Sequence, residues 1–172
     1  MTAYVALLRA VNVGGTTSLP MADLRSLCER AGMAGARTYI ASGNVVFSSS
    51  SAEQEVQRAL EAALEAHVGC PVGVVVRTAE EMAAVLAGNP FPHAAPNRTV
   101  AIFLDAPPPA DALDGASGRA DEEIALGGRE IYVHYPTGIG TSKLKIPAAR
   151  AGTARNINTV ARLAAMAAET GA

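Results

Sequence analysis

The sequence predicts an α+β fold of two tandem ferredoxin-like halves, each a βαββα-type unit with an antiparallel sheet. Short runs rich in Val, Ile and Leu alternate with segments whose apolar residues recur every three or four positions, which predicts strands and helices in alternation. In each half a glycine-containing turn separates two strand-like runs, and such hairpins pair strands in antiparallel fashion. The 172 residues suffice for two small halves.

Residues 1–77 are predicted to form the first half, in the order βαββαβ. Pro20 opens the first helix, because its missing N–H costs nothing in a first turn. Gly43 supplies the hairpin turn, and Ser51 with Gln54 forms a capping box for the second helix. The predicted elements are strand 3–11, helix 20–31, strands 37–41 and 45–48, helix 51–68 and strand 72–77.

Residues 78–172 are predicted to form the second half, with a linking helix, a βαββ segment, a basic loop and a C-terminal helix. Thr78 and Glu81 form a capping box for the linking helix, and Thr153 caps the last helix. The second half therefore repeats the order of the first without its last strand. Its predicted elements after the linking helix are strand 99–104, a weak helix over 110–116, strands 122–126 and 129–135, irregular chain over 136–152 and a helix from 153.

Composition excludes several classes of protein. Hydrophobic residues make up 49% of the chain and charged residues 17%, which is typical of a globular domain. No apolar run approaches the roughly 20 residues that span a bilayer, so we expect a soluble cytoplasmic protein without a membrane partner. Two cysteines fit a reducing compartment, and the helical spacing of Cys28 predicts a buried packing residue.

Familiar catalytic and cofactor motifs are absent from the sequence. It contains no P-loop, no dinucleotide-binding glycine pattern and no serine nucleophile elbow. His67, His93 and His134 are scattered without metal-ligand spacing, so we expect no metal and no cofactor. The carboxylates of residues 121–123 are interpreted as a solvated turn.

Positive charge is concentrated near the C-terminus. Residues 129–162 carry six of the 14 basic residues and one of the 16 acidic residues. Both lysines of the chain, Lys143 and Lys145, lie in this segment. Such a segment favours an anionic ligand or partner, although internal charge balance is the alternative.

The first candidate site lies at one end of the predicted first sheet. Strands one and two run in the same direction there, so the loop after strand one and the hairpin after strand two meet. Burying the charge of Arg9 inside an apolar strand costs free energy unless the side chain has a polar partner. The backbone amides of the nearby glycines can bind an anion. The alternative is that these residues only shape turns. The candidate ligand-binding residues are Arg9, Asn12, Gly14, Gly15, Ser42 and Asn44.

The second candidate site is the basic loop and helix of residues 138–162. Its glycine amides, hydroxyls and ammonium groups suit a phosphate, and a helix N-terminus favours anions. The alternative is a solvated loop followed by an ordinary helix cap. The candidate ligand-binding residues are Lys143, Lys145, Arg155 and Asn156.

Three functions stay open at this point. The leading hypothesis is a binding module for an anionic small molecule or nucleic acid, such as a nucleotide or phosphate, that uses residues 138–162. The second is a small-molecule enzyme with a polar cleft near Arg9, Asn12 and Asn44. The third is a structural or oligomerisation module.

Six sequence blocks resemble the bacterial domain-of-unknown-function family 1697. The blocks are LLRAVNVGG, LPMADLRSLCERAG, RTYIASGNVVF, NPFP, AIFLD and TARNINTVARLA. The resemblance implies an α+β protein of this size and brings no activity, substrate or cofactor. One departure is Ile157, where the family pattern usually has Trp. That Trp either stacks on a ligand in relatives, in which case stacking is lost here, or fills the core.

Overall fold

A computed structural model describes residues 1–9 and 18–170 of the chain. In this part of the chain it shows an α+β fold with two four-stranded antiparallel sheets and four helices. The strands are β1 Thr2–Leu8, β2 Ala34–Thr38, β3 Asn44–Ser49, β4 Val74–Thr78, β5 Thr99–Phe103, β6 Glu123–Leu126, β7 Glu130–His134 and β8 Thr153–Asn156. The helices are α1 Met21–Arg30, α2 Glu53–Val68, α3 Ala79–Ala87 and α4 Ile157–Thr170.

The chain divides into two compact units, Met1–Ala83 with Arg162–Ala172, and Ala84–Ala161. The sheet of the first unit has the strand order β2-β3-β1-β4, and that of the second has the order β6-β7-β5-β8. All neighbours in both sheets are antiparallel. The two sheets therefore share one topology, in which β5 occupies the place of β1.

One face of the first sheet packs against α1 and α2. Alternate residues of β1 point to this face, as the two-residue period of a strand requires, and they join the apolar stripes of both helices. The burial predicted for Cys28 is confirmed, and Leu24 and Leu27 of the same helix are buried with it. Burial raises the pKa of the Cys28 thiol to about 12, so this cysteine is a packing residue and a poor nucleophile.

The second sheet has no α-helix between β5 and β6 or between β7 and β8. The helix predicted over 110–116 is wrong, because the segment makes only isolated turns, such as that from the Ala116 amide to the Leu113 carbonyl at 3.1 Å. Three prolines precede it, and Asp and Gly interrupt it, so helix propagation is weak. Leu113 and Ala116 nevertheless pack against the sheet, as do Leu144 and Ile146 from the second connection.

A strand that the sequence analysis missed completes the second sheet. Residues 153–156 pair with β5 as β8, so the expected absence of a last strand is wrong. Thr153 and Arg155 are buried while Ala154 is exposed, which is the alternation of a strand. Thr153 does not cap α4. The cap is Asn156, whose Oδ1 accepts a hydrogen bond of 2.9 Å from the Thr159 amide.

Each sheet carries one buried arginine at the same place in its topology. Arg77 on β4 lies opposite Val5 of β1, and Arg155 on β8 lies opposite Ala101 of β5. Both side chains point to the face of their sheet opposite the apolar cluster already described. Each guanidinium donates through Nη1 to the carbonyl of the preceding residue, at 3.1 Å in Arg77 and 3.0 Å in Arg155.

Several element boundaries differ from the sequence prediction. Strand β2 begins at Ala34, three residues earlier than expected, and Gly35 adopts a φ of 63° beside a bulge. Helix α2 begins at Glu53 without a side-chain cap, so the capping box predicted at Ser51 is wrong. The capping box at Thr78 and Glu81 is confirmed by reciprocal hydrogen bonds of 2.8 and 3.1 Å.

No helix in the described residues has the length and apolar character needed to cross a bilayer. The longest of them, α2, spans 16 residues and carries several charged side chains.

A glycine at the start of β8 gives a stability prediction. A Cβ on Gly152 would lie 2.7 Å from the Phe103 carbonyl oxygen and 2.8 Å from side-chain carbons of Ile102 and Leu104. We expect Gly152→Ala to lower the free energy of unfolding by about 1–3 kcal/mol, because backbone has to move to relieve the overlap. Urea unfolding followed by circular dichroism measures the change.

The matched control is Gly140→Ala in the loop before β8. A Cβ on Gly140 meets no described atom within 4 Å, and its φ is not positive. This variant should unfold at the wild-type urea concentration or slightly above it. Equal stability of the two variants would show that the close approach at Gly152 is not a constraint.

Candidate functional site

Residues 136–152, within the connection between β7 and β8, are called the cationic loop here because they carry Lys143, Lys145 and Arg150. Two backbone hydrogen bonds fix it to the connection between β5 and β6. The Ser117 amide donates to the Lys145 carbonyl at 2.9 Å, and the Lys145 amide donates to the Ser117 carbonyl at 2.8 Å. A glycine is required beside this bridge, since Gly118 has a φ of 68° and a Cβ there would overlap the Lys143 carbonyl.

A buried carboxylate anchors the same loop. Glu122 is 3% exposed, and it accepts hydrogen bonds from the Ser142 hydroxyl and, at 2.6 Å, from the Ala120 amide. The bond from Ser142, followed by the backbone bonds, holds the pKa of Glu122 below its ordinary value of 4.5. The interpretation of residues 121–123 as a solvated turn is therefore wrong for Glu122.

A concavity of about 480 Å³ opens beside the fixed part of the cationic loop. Its lining combines two cationic side chains, one hydroxyl and an apolar wall, supplied by Ser117, Lys145, Ile146, Pro147, Ala149 and Arg150. The side chains of Lys143, Lys145 and Arg150 are exposed. Within residues 1–9 and 18–170, neither lysine takes part in an ion pair. This pattern suits an anion with an apolar or neutral remainder.

The other two residues of the second candidate site lie elsewhere. Arg155 is buried on β8, where Nη1 donates to the Thr153 hydroxyl at 2.6 Å, and burial lowers its pKa to about 10. Asn156 is occupied as the cap of α4. The structure thus places Lys143 and Lys145 in one loop, while the Arg155 guanidinium is buried on the face of the sheet opposite the apolar cluster.

The first candidate site is described only in part, because Asn12, Gly14 and Gly15 lie outside the described residues. The Leu8 amide donates to the Gly43 carbonyl at 2.9 Å, so the end of β1 lies beside the hairpin, as expected. Arg9 continues past it and donates from its amide to the Gly73 carbonyl, also at 2.9 Å.

The hairpin residues of this site already have internal partners. Asn44 is fully buried, and its side-chain amide donates to the Tyr39 carbonyl at 3.0 Å and to the Ser42 hydroxyl at 2.9 Å. These bonds hold the turn between β2 and β3. The role of Arg9, Ser42 and Asn44 in ligand binding stays a prediction.

Two of the three histidines lie beside carboxylates. His67 is exposed on α2, and its Nε2 lies 3.4 Å from Asp23 Oδ2. His134 Nδ1 lies 3.0 Å from Glu123 Oε1 across the β6–β7 hairpin. No group of three or more His, Cys, Asp or Glu side chains in the described part of the chain has a geometry that could hold a metal ion.

Sequence reasoning missed two residues of the concavity, Ser117 and Arg150. Ser117 is far from Lys145 in sequence, and only the backbone bridge brings them together. Arg150 follows a short 3₁₀ turn, Pro147–Ala149, inside a segment interpreted as irregular. The proline at the start of that turn was the one local signal for it.

Residues 1–132 match the family described as "Protein of unknown function (DUF1697)". The chain belongs to this family. The resemblance stated from the sequence blocks is therefore confirmed. No curated protein matches this DUF1697 chain. Among solved structures it is similar to the conserved bacterial protein SP0830 from Streptococcus pneumoniae, at 25% identity and a TM-score of 0.80, over 96% of this chain and 98% of that one.

The structure shows the surroundings of Ile157, the position at which the DUF1697 pattern usually has Trp. Ile157 is 7% exposed at the first position of α4. A residue buried to this degree fills space, so the isoleucine here is a smaller core residue. This placement agrees with the core-filling alternative for that position.

The anchor at Glu122 predicts a pH-dependent stability difference. Ser142→Ala should lower the free energy of unfolding at neutral pH, because the ionised carboxylate loses its hydroxyl donor. The lowered folded-state pKa stabilises the fold above the unfolded-state pKa, and this contribution disappears as pH falls through the folded-state value. The difference in the free energy of unfolding between the wild type and Ser142→Ala should therefore become smaller at acidic pH. Urea unfolding across a pH series measures this difference.

The control for this prediction is Ser142→Ala in a Glu122→Gln background. The Ser142 hydroxyl also accepts a 3.2 Å bond from the Leu144 amide, which leaves a deficit that does not depend on pH. In the Glu122→Gln background, Ser142→Ala should lower the free energy of unfolding by the same amount at every pH. A loss of stability that still depends on pH in this background would assign the pH dependence to another carboxylate.

Proposed function

We propose that the second unit binds a small phosphate-bearing anion through Lys145 and Arg150, with Ser117 as a hydroxyl donor. The observation that carries this proposal is that all three residues line one concavity of about 480 Å³. An ammonium, a guanidinium and a hydroxyl together offer the donors that phosphate oxygens accept. Lys143 lies two residues away on the same loop and adds longer-range attraction.

Preorganisation supports the proposal. The backbone bonds between Ser117 and Lys145 fix the main chain on both sides of the concavity, and the Ser142–Glu122 bond fixes the loop ahead of it. Ordering a flexible loop around a ligand costs free energy that a fixed loop does not spend again on binding. A loop without helix or strand would otherwise be a poor site.

A small anion is favoured over nucleic acid. The chain has a net charge of −2 and no Trp, and no aromatic side chain lines the concavity. Single-stranded nucleic acid is usually held by stacked aromatic side chains along a positively charged groove. A mononucleotide or a phosphorylated metabolite meets the described geometry without them.

We also infer that the two halves are duplicated copies of one ferredoxin-like unit, the finer architecture expected for residues 1–77 and 78–172. The identical strand orders and the matching guanidinium-to-carbonyl bonds of Arg77 and Arg155 support this. Each arginine is followed by a helix cap, Thr78 or Asn156. Matching β4 and α3 to β8 and α4 puts the boundary between the copies after α3.

Binding is tested by thermal unfolding with inorganic pyrophosphate. A ligand that binds the native state alone raises the midpoint, with about 2.7 kcal/mol of stabilisation at one hundred times Kd. We expect a saturable rise for the wild type and a Kd about tenfold weaker for Lys145→Gln, because a charge-assisted contact is lost. Lys143→Gln should weaken binding less, since Lys143 does not line the concavity.

The matched control is Arg58→Gln. Arg58 is an exposed cation on α2, in the first unit. It should leave the pyrophosphate Kd unchanged. An equal loss in Arg58→Gln and Lys145→Gln would mean that net charge alone attracts the anion, and no midpoint shift in the wild type would remove the proposal. A shift given by RNA but by neither pyrophosphate nor mononucleotides would favour the nucleic-acid alternative.

A further inference from the structure

A groove with two lobes runs between α1 and α2 on the first unit, and it is called the α1–α2 groove here. One lobe, of about 390 Å³, is mainly apolar, and the other, of about 610 Å³, is polar. Arg30 and His67 line both lobes, so the lobes are adjacent. The apolar lobe is otherwise lined by Leu27, Ala31, Ala63 and Ala66, and the polar lobe by Asp23, Ser26 and Glu29.

The polar lobe presents charges of both signs at fixed places. His67 Nε2 and Asp23 Oδ2 lie 3.4 Å apart, and this pair links the last turn of α2 to the first turn of α1. Helix dipoles favour both placements, a cation at a C-terminus and an anion at an N-terminus. Asp23 and His67 thus form a partly exposed contact between the two helices in this lobe.

Arg30 and Glu29 supply the charges available to a ligand. Arg30 is exposed, and its Nε donates a weak hydrogen bond to the Ser26 carbonyl at 3.4 Å. In the described part of the chain, neither Arg30 nor Glu29 forms an ion pair. The groove therefore offers one guanidinium and one carboxylate on its rim.

The apolar lobe is open because its helix positions carry alanine. Ala63 and Ala66 lie one turn apart on α2 and face Leu27 and Ala31 of α1 across the groove. Larger side chains at these positions would fill the space. The lobe has room for a branched aliphatic side chain.

We propose that the α1–α2 groove binds a zwitterionic α-amino acid with an apolar side chain. The ligand carboxylate pairs with Arg30, its ammonium pairs with Glu29, and its side chain enters the alanine-lined lobe. A simple anion would meet the two carboxylates of the polar lobe, and a simple cation would meet Arg30. A ligand that carries both charges next to an apolar group satisfies all three parts of the groove.

The test uses the full chain and L-leucine as the probe, with binding followed by amide chemical shifts in NMR. We expect saturable shifts confined to α1 and α2, with a Kd near the millimolar range. Leucinamide lacks the carboxylate, N-acetyl-leucine lacks the ammonium, and glycine lacks the side chain. Each analogue should bind about tenfold more weakly than leucine, because one of the three contacts is lost.

Two variants locate the site. Arg30→Gln should raise the Kd for leucine about tenfold, and Ala66→Leu should abolish leucine binding by filling the apolar lobe. Ala66 is exposed, so the larger side chain does not overpack the core, and a thermal melt checks that the variant folds. Arg58→Gln, on the same helix but outside both lobes, should bind leucine as the wild type does.

Three results would overturn the proposal. They are no shifts with leucine, equal binding of glycine, or an unchanged leucine Kd in Arg30→Gln. A lower solution mass for Ala66→Leu than for the wild type would assign the groove to a second copy of the chain instead. The proposal is independent of the pyrophosphate site, since no residue is shared between them.

Discussion

The buried carboxylate of Glu122 is the contact on which the second unit depends. The two connections of that unit contain no α-helix, so a long run of helical hydrogen bonds does not hold them in place. Glu122 accepts donors from both connections, from Ala120 in its own and from Ser142 in the cationic loop. The backbone bridge between Ser117 and Lys145 adds a second link between the same two connections. A loop fixed in this way can present lysine side chains at defined positions, which an unanchored loop cannot.

The two sheets have the same strand arrangement but differ in what covers one face. Strand order, antiparallel pairing and a buried arginine on the last strand are common to both. A buried guanidinium is expensive unless its donors are satisfied, and both arginines use the preceding carbonyl. Two helices cover one face of the first sheet, whereas irregular chain covers the corresponding face of the second. The helices leave room for the α1–α2 groove, and the irregular chain carries the cationic concavity.

The parts of this fold that depend on local periodicity were predictable from the sequence, and the parts that depend on distant contacts were not. The buried residues of α1 follow a 3.6-residue pattern, and Thr78 with Glu81 is a local capping signal, so both predictions hold. Strand β8 was missed because Thr153 before a helical pattern is typical of a cap. Its strand character comes from pairing with β5. Ser117 was missed as a site residue for the same reason, because its place beside Lys145 exists only in three dimensions.

The central claim, that the cationic loop holds an anion at Lys145, is tested most directly on the lysines themselves. Lys143 and Lys145 are the two lysines of the chain, so selective ¹³C-lysine labelling gives one Cε–Hε side-chain signal for each. On titration with inorganic pyrophosphate, we expect a saturable shift of the Lys145 signal that exceeds the shift of the Lys143 signal. Equal, non-saturating shifts of both signals, or no shift of the Lys145 signal, would contradict anion binding at Lys145.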